Sequence, residues 1–217
     1  GYNKKKFRVI YNGVDLKRFN TEVSEGLIDQ IKHPALNLNN NSPTLGMVAR
    51  YDKQKGYAIL LEALYYLITK KVKFSCFLVG KNVDYSNTEL VSMIEKYALT
   101  SNVFLLGQRT DVETVYKFLD VFILSSVSGE GFPNVLLESM ACGTPCVATD
   151  VGDSRFIIEK TGWVVPPGDS KSLSIALENA IAEINLPNWS ERKFSCRDRV
   201  IKNFNLKNMN DKFNNIW

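Results

Sequence analysis

Histidine is almost absent: His33 is the only one in 217 residues. Cysteine does not make up for it as a metal ligand. The four cysteines, Cys76, Cys142, Cys146 and Cys196, lack the two close pairs of a structural zinc site. They read as reduced, mostly buried thiols of a cytosolic protein, and no metal site is expected. No run of about 18 apolar residues occurs, so no transmembrane helix is expected. The first residues, Gly1-Tyr2-Asn3-Lys4-Lys5-Lys6, are too polar for a signal peptide. A start at Gly1 rather than Met leads to the expectation of a fragment or a processed chain. Charge is nearly balanced, with 27 Lys and Arg against 23 Asp and Glu, a net +4, and no dense basic block beyond Lys4 to Lys6. A solvated basic surface explains this better than nucleic-acid binding. A phosphorylated substrate or an anionic membrane face suits the same charge. Two glycosylation-like triplets, at Asn40 and Asn188, lack the secretory context that would give them meaning.

What is present is a regular alternation. Apolar runs at Leu45–Ala49, Phe74–Gly80, Val103–Gly107, Val121–Leu124 and Cys146–Thr149 fit buried strands, with Gly162–Val165 as a sixth. Between them, residues Gly56–Leu67, Leu90–Leu99, Val112–Leu119, Pro133–Cys142 and Ser170–Ile184 carry helical spacing. Arg8–Tyr11 reads as a further short strand, and 34–43 as an Asn-rich surface loop. Strand and helix alternating at this interval predict an α/β fold: a Rossmann-like, doubly wound parallel sheet with helices on both faces. Residues 1–188 form that domain. Residues 189–217, polar with spaced aromatics, read as a helical tail packing back across it. In such sheets ligands bind beyond the carboxyl ends of the strands.

Two of the loops at that edge carry the candidate chemistry. After Leu124 a small-residue loop, Ser125 to Gly131, leads to Pro133, whose fixed φ and missing N–H suit a first helical position. The N–H groups of Gly131, Phe132, Asn134 and Val135 are then left unpaired, a setting that attracts phosphate or polarised hydroxyls. Glu138, five residues beyond Pro133, lies one to two turns into the helix, where a carboxylate accepts hydrogen bonds from a vicinal diol. The second loop leaves the first core strand as Arg50-Tyr51-Asp52-Lys53-Gln54-Lys55-Gly56. A guanidinium and an ammonium there suit a diphosphate. Taken one at a time, these residues are more simply exposed surface charges, Glu130 and Glu138 included.

Together, Arg50-x4-Lys55-Gly56 and Glu130-x7-Glu138 resemble the retaining glycosyltransferases of the GT-B fold, the group 1 or family 4 enzymes that use nucleoside-diphosphate sugars. Asn12-Gly13-Val14-Asp15 followed by Phe19, the strands ending at Gly80 and Gly107, and Trp163 to Asp169 fall in the family's order, so the likeness runs from about residue 8 to 185. The resemblance implies the C-terminal, donor-binding half of that fold, with the N-terminal acceptor domain absent. It implies that Glu130 contacts the donor sugar near its anomeric centre and Glu138 the ribose. Backbone groups of Gly131 to Val135, through Phe132, Pro133 and Asn134, would hold sugar hydroxyls and phosphate. Arg50 and Lys55 would neutralise the departing diphosphate without a metal or other cofactor. Gln108 and Arg109 would lie against the nucleobase. The implied partners are a UDP- or GDP-linked sugar and a saccharide or lipid-linked acceptor reached through the missing half. The implied setting is cell-surface glycan assembly at the cytoplasmic side, with peripheral contact of the full-length protein to the inner membrane face. Two departures stand out. Asp153-Ser154-Arg155-Phe156 lacks the glutamate usual after that strand, and Gly80-Lys81-Asn82-Val83 replaces a Gly-x-Gly turn. Lys81 either adds to the phosphate charge or is simply exposed. The competing function is a non-catalytic Rossmann-type nucleotide module, which would want G-x-G-x-x-G after the first strand where Arg50-Tyr51-Asp52 stands.

Overall fold

The computed structural model describes residues 9–23, 31 and 42–214. His33, Lys4 to Lys6, Arg8, Asn40 and Trp217 lie outside them. The described chain runs β1 (Thr44–Val48), α1 (Tyr57–Thr69), β2 (Ser75–Val79), α2 (Thr88–Lys96), β3 (Val103–Leu105), α3 (Val112–Phe118) and β4 (Val121–Leu124). It continues through α4 (Asn134–Ala141), β5 (Cys146–Thr149), α5 (Ser154–Ile158), β6 (Trp163–Val165), α6 (Ser170–Glu183), α7 (Trp189–Asn203) and α8 (Leu206–Asn214). Asn87 and Asp169 accept hydrogen bonds from Leu90 and Ser172 N–H at 3.1 and 2.9 Å, which fixes where α2 and α6 begin.

The six strands form one sheet in the order β3-β2-β1-β4-β5-β6. Every pairing is parallel; Leu45 of β1 lies opposite Cys76 of β2 on one side and Val121 of β4 on the other. Parallel strands need helical crossovers, and those cover both faces, so the strands read as unbroken apolar runs. Alternate residues feed two cores. Met47, Cys76, Leu78, Val121, Ile123 and Val147 pack with α1, α2 and α6. Phe77, Val79, Phe104, Phe122, Leu124 and Ala148 pack with α3, α4, α5 and α7. The doubly wound expectation holds. Chain order reverses between β1 and β4, so the crevice at their carboxyl ends is the topological switch point where such sheets take ligands.

Three local expectations change. Val9 to Tyr11 form no strand; the one pairing nearby is a bridge between Val14 and Asn205. Pro133, with φ −72° and ψ 100°, caps α4 from outside rather than opening it. A short helix, α5, occupies the segment after Gly152 where none was read. All four cysteines are buried and free.

Candidate functional site

The site forms where the loops after β1, β4 and β5 meet. Beyond β1, Asp52 caps a 3-10 turn, Lys53–Lys55, by accepting from the Gln54 N–H at 2.9 Å. That bond, with Arg50 beside it, holds the Asp52 carboxyl below its usual range. The turn is fastened to the loop after β4 by two bonds: Ser125 Oγ donates to Lys55 O at 2.8 Å, and Val127 N–H to Gln54 O at 2.8 Å. Gly56 makes this contact feasible. Its φ is +67°, and a Cβ there would lie 2.0 Å from the Ser125 carbonyl oxygen.

With the two loops joined, Lys55 Nζ sits 2.6 Å from Glu130 Oε1. Ser126 Oγ donates to the same oxygen at 2.6 Å. The side chains are only 19% and 10% exposed, so this pair is largely withdrawn from water. The loop after β5 closes the other side: Asp153 N–H donates to Gly131 O at 2.8 Å. Thr149 Oγ1 donates to Ser126 O at 2.5 Å from beneath.

At the start of α4 the N–H groups of Gly131, Phe132, Asn134 and Val135 have no hydrogen-bond partner among the described residues. Gly131 and Asn134 are exposed. Unpaired donors at the positive end of a helix are a setting suited to an anion. The C-terminal end of α4 is matched by Arg197, whose Nη1 donates to Ala141 O.

Glu138 lies on α4, where it meets α3. Its Oε2 accepts from the Tyr116 hydroxyl at 2.9 Å, and Oε1 has no hydrogen-bond partner among the described residues. Burial raises the carboxyl above its ordinary value, and nearby Glu113 adds to that; the Tyr116 bond and the charge of Arg18 oppose it. Arg18 reaches across from the segment before β1. Its Nε and Nη2 donate to Glu113 Oε2 at 3.0 and 2.9 Å, and Nη2 also to Thr110 O at 2.9 Å.

The sequence-derived residues therefore separate into groups. Lys55 and Glu130 meet directly where the loops after β1 and β4 join, and Glu138 and the Gly131–Val135 edge lie on the loop and helix that follow β4. Arg50 leaves β1 on the same loop but is 58% exposed, with its Nε on Asp52 Oδ2 at 3.3 Å. Gln108 is exposed. Arg109 forms a two-pronged pair with Asp111, Nε to Oδ1 at 3.0 Å and Nη2 to Oδ2 at 2.6 Å. That pair draws the Asp111 carboxyl below its usual range. Lys81 is exposed; its carbonyl accepts from Tyr51 N–H at 2.9 Å. Arg18, Tyr116, Ser126 and Gln54 were not singled out from sequence. Ser126 alone carried a local signal, as a hydroxyl inside the small-residue loop.

An aromatic wall borders the loop. Tyr11 stacks on Phe132 at 5.4 Å and meets Phe156 at 4.7 Å. Phe204, at the end of α7, stands edge-on to Phe132 and Phe156, both at 5.7 Å. Asn12 Nδ2 donates to Asn134 Oδ1 at 3.1 Å. Among the described residues no three His, Cys, Asp or Glu side chains gather as a metal site, and no helix is long and apolar enough to cross a membrane.

The family model described as glycosyl transferases group 1 matches residues 42–183. The chain is 28% identical over 215 residues to the Escherichia coli UDP-Gal:alpha-D-GlcNAc-diphosphoundecaprenol alpha-1,3-galactosyltransferase, covering 98% of this chain and 54% of that protein. It is 30% identical over 204 residues to a Campylobacter jejuni N-acetylgalactosamine-N,N'-diacetylbacillosaminyl-diphospho-undecaprenol 4-alpha-N-acetylgalactosaminyltransferase, covering 90% and 50%. Among solved structures, a glycosyltransferase from Rickettsia africae superposes with a TM-score of 0.89 at 24% identity, over 99% of this chain and 57% of that one. Anabaena HepE in complex with UDP gives 0.82 at 25% identity, over 96% and 56%. The chain thus spans about half the length of the curated relatives it matches.

Proposed function

The chain belongs to the glycosyl transferases group 1 family, and from that premise we propose that it is the donor-binding part of a retaining glycosyltransferase. The observation that supports the reading is the edge at the switch point where Lys55 meets Glu130 beside four backbone N–H groups that have no partner among the described residues, with Glu138 on the helix that follows. A nucleoside-diphosphate sugar presents three features to such an edge. Its diphosphate would meet the N–H groups of α4 and the ammonium of Lys55, with Arg50 free to swing in from solvent. Its ribose diol would donate to the open Oε1 of Glu138. Its sugar would lie against Glu130 and Gly131. As the bond from sugar to diphosphate breaks, negative charge grows on the leaving oxygens. The helix start would stabilise it with donors already in place, and Lys55 would do so on exchanging its bond to Glu130 for the leaving oxygens.

Charge at this edge would thus come from the protein's own groups, with no metal or other cofactor called on. The acceptor would be a saccharide or a lipid-linked sugar, as the names of both bacterial relatives indicate for those proteins. It would enter through the further half that the relatives' length implies. In the intact protein, residues 1–188 would then be the nucleotide-sugar domain and 189–217 a tail crossing back over it. Cytoplasmic placement, with peripheral contact at the inner face of a membrane, fits a lipid-linked acceptor. This chain by itself would bind donor weakly and transfer little sugar.

Calorimetric titration with UDP, GDP and their sugars tests the reading. Binding of one nucleotide series is expected, with Glu138→Ala weakening it about 10-fold through the loss of a charged acceptor. A folded wild-type chain that binds none of them would sink the proposal. The pH dependence has a defined sign. Diol donation needs an ionised Glu138, and its carboxyl is raised from an ordinary 4.5. Affinity should hold at neutral pH and fall on acidification, starting above the range of an ordinary glutamate, and Glu138→Ala should remove that acid limb. An affinity flat down to ordinary carboxylate pH would count against Glu138 as the diol acceptor.

A further inference from the structure

Tyr116 lies outside the loops described above, yet its hydroxyl is committed to Glu138. The ring is buried on α3, packed edge-on against Phe122 at 5.3 Å and tilted against Phe19 at 6.1 Å. Its backbone carbonyl accepts from Thr144 Oγ1 at 2.7 Å. A side chain so enclosed has no freedom to move its hydroxyl, and that hydroxyl donates to Glu138 Oε2 at 2.9 Å. The bond joins two elements that follow different strands, α3 after β3 and α4 after β4. It leaves Oε1 of Glu138 without a partner among the described residues.

We infer that Tyr116 is a positioning residue: it locks the Glu138 carboxylate so that one oxygen is held by the protein and the other is presented to a ligand diol. The inference rests on the reading of Glu138 as the acceptor for ribose hydroxyls. An unanchored glutamate at a helix surface samples several rotamers and loses that freedom when a ligand docks. Here the loss is met on folding. Burial also keeps the phenol protonated, well above its ordinary range, so it acts only as a donor to this carboxylate. The Arg18 guanidinium, itself fixed by Glu113 and the Thr110 carbonyl, adds a positive field that favours the ionised carboxylate.

The test separates orientation from fold by using two ligands, UDP and 2′,3′-dideoxy-UDP, which lacks the diol. Wild type should prefer UDP. Tyr116→Phe keeps the ring and removes one oxygen, so the cores stay filled and circular dichroism should match wild type. It is expected to weaken UDP about 10-fold while leaving the dideoxy analogue unchanged, because only the diol uses the oriented oxygen. Equal weakening of both ligands points to general loosening of the site and overturns the inference. So does unchanged binding of both. Glu138→Ala measured alongside identifies which step has failed. If it collapses the preference for UDP and Tyr116→Phe does not, the positioning role alone is wrong. If Glu138→Ala leaves the preference intact, Glu138 is not the diol partner and the inference falls with that reading.

Discussion

Gly56→Ala is expected to lower the unfolding free energy by about 3 kcal/mol, read as a fall in the urea midpoint at constant slope. Two causes add. At φ +67° an L-residue sits in the left-handed region, which costs roughly 1–2 kcal/mol. The new Cβ would also lie 2.0 Å from the Ser125 carbonyl oxygen, and backbone cannot turn aside as a side chain can. Relief requires the loops after β1 and β4 to part, straining the Ser125–Lys55 and Val127–Gln54 bonds that join them. Gly168→Ala is the internal control. Its φ is +75°, but a Cβ there meets nothing within 4 Å, so only the conformational term of about 1 kcal/mol remains. Equal losses at the two positions would mean that the joined loops yield freely, against the rigid edge described here.

Lys55→Met is expected to weaken UDP binding about 100-fold while leaving uridine, which has no phosphate, nearly unaffected. Methionine keeps much of the aliphatic stem, so the change is chiefly one of charge. It also strands Glu130, whose side chain is 10% exposed; among the described residues its remaining hydrogen bond is the one donated by Ser126 Oγ. Removing one partner from such a pair costs on the order of 2 kcal/mol, less than in a fully dry interior because both groups retain some contact with water. Glu130→Gln should act in the opposite direction on UDP. With its carboxylate neutralised, Lys55 is no longer held at 2.6 Å and is free to meet the diphosphate, so affinity should rise a few-fold. If both variants bind UDP like wild type, the Lys55–Glu130 pair is structural and the diphosphate lies elsewhere. Calorimetry over the two ligands and the two variants decides it.

The strands and helices of the sheet were legible in sequence because their signals are local. Val121 to Leu124 read as a buried strand and is one; the helical spacing of Ile59, Leu60, Ala63, Leu64 and Leu67 lies within α1. The strand-like run misled over Val9 to Tyr11. Apolar character there serves an aromatic contact, Tyr11 on Phe132, rather than a ladder. Pro133 fits a first helical turn or the residue just before it equally well, and sequence does not divide the two. Of the site, the residue types and the edge they border were readable. Their joining was not, because Lys55 and Glu130 are 75 positions apart and meet only once β4 pairs beside β1. Arg18 and Tyr116 left no signal for a similar reason. One reaches Glu113 across 95 positions. The other looks in sequence like any core aromatic, and its hydroxyl gains meaning only from the carboxylate that α4 brings to it.

The bridge between Val14 and Asn205 has a mechanical consequence. Val14 N–H donates to Phe204 O at 2.8 Å, and Leu206 N–H returns to Val14 O at 3.1 Å. A segment near the start of the chain is thus stitched to one near its close, beside Phe132 and the rings that back it. Pulling these two segments apart would open that stitch before any strand of the sheet bore load. The first thing to slacken would be the packing of Phe204 behind Phe132, while the sheet stayed whole.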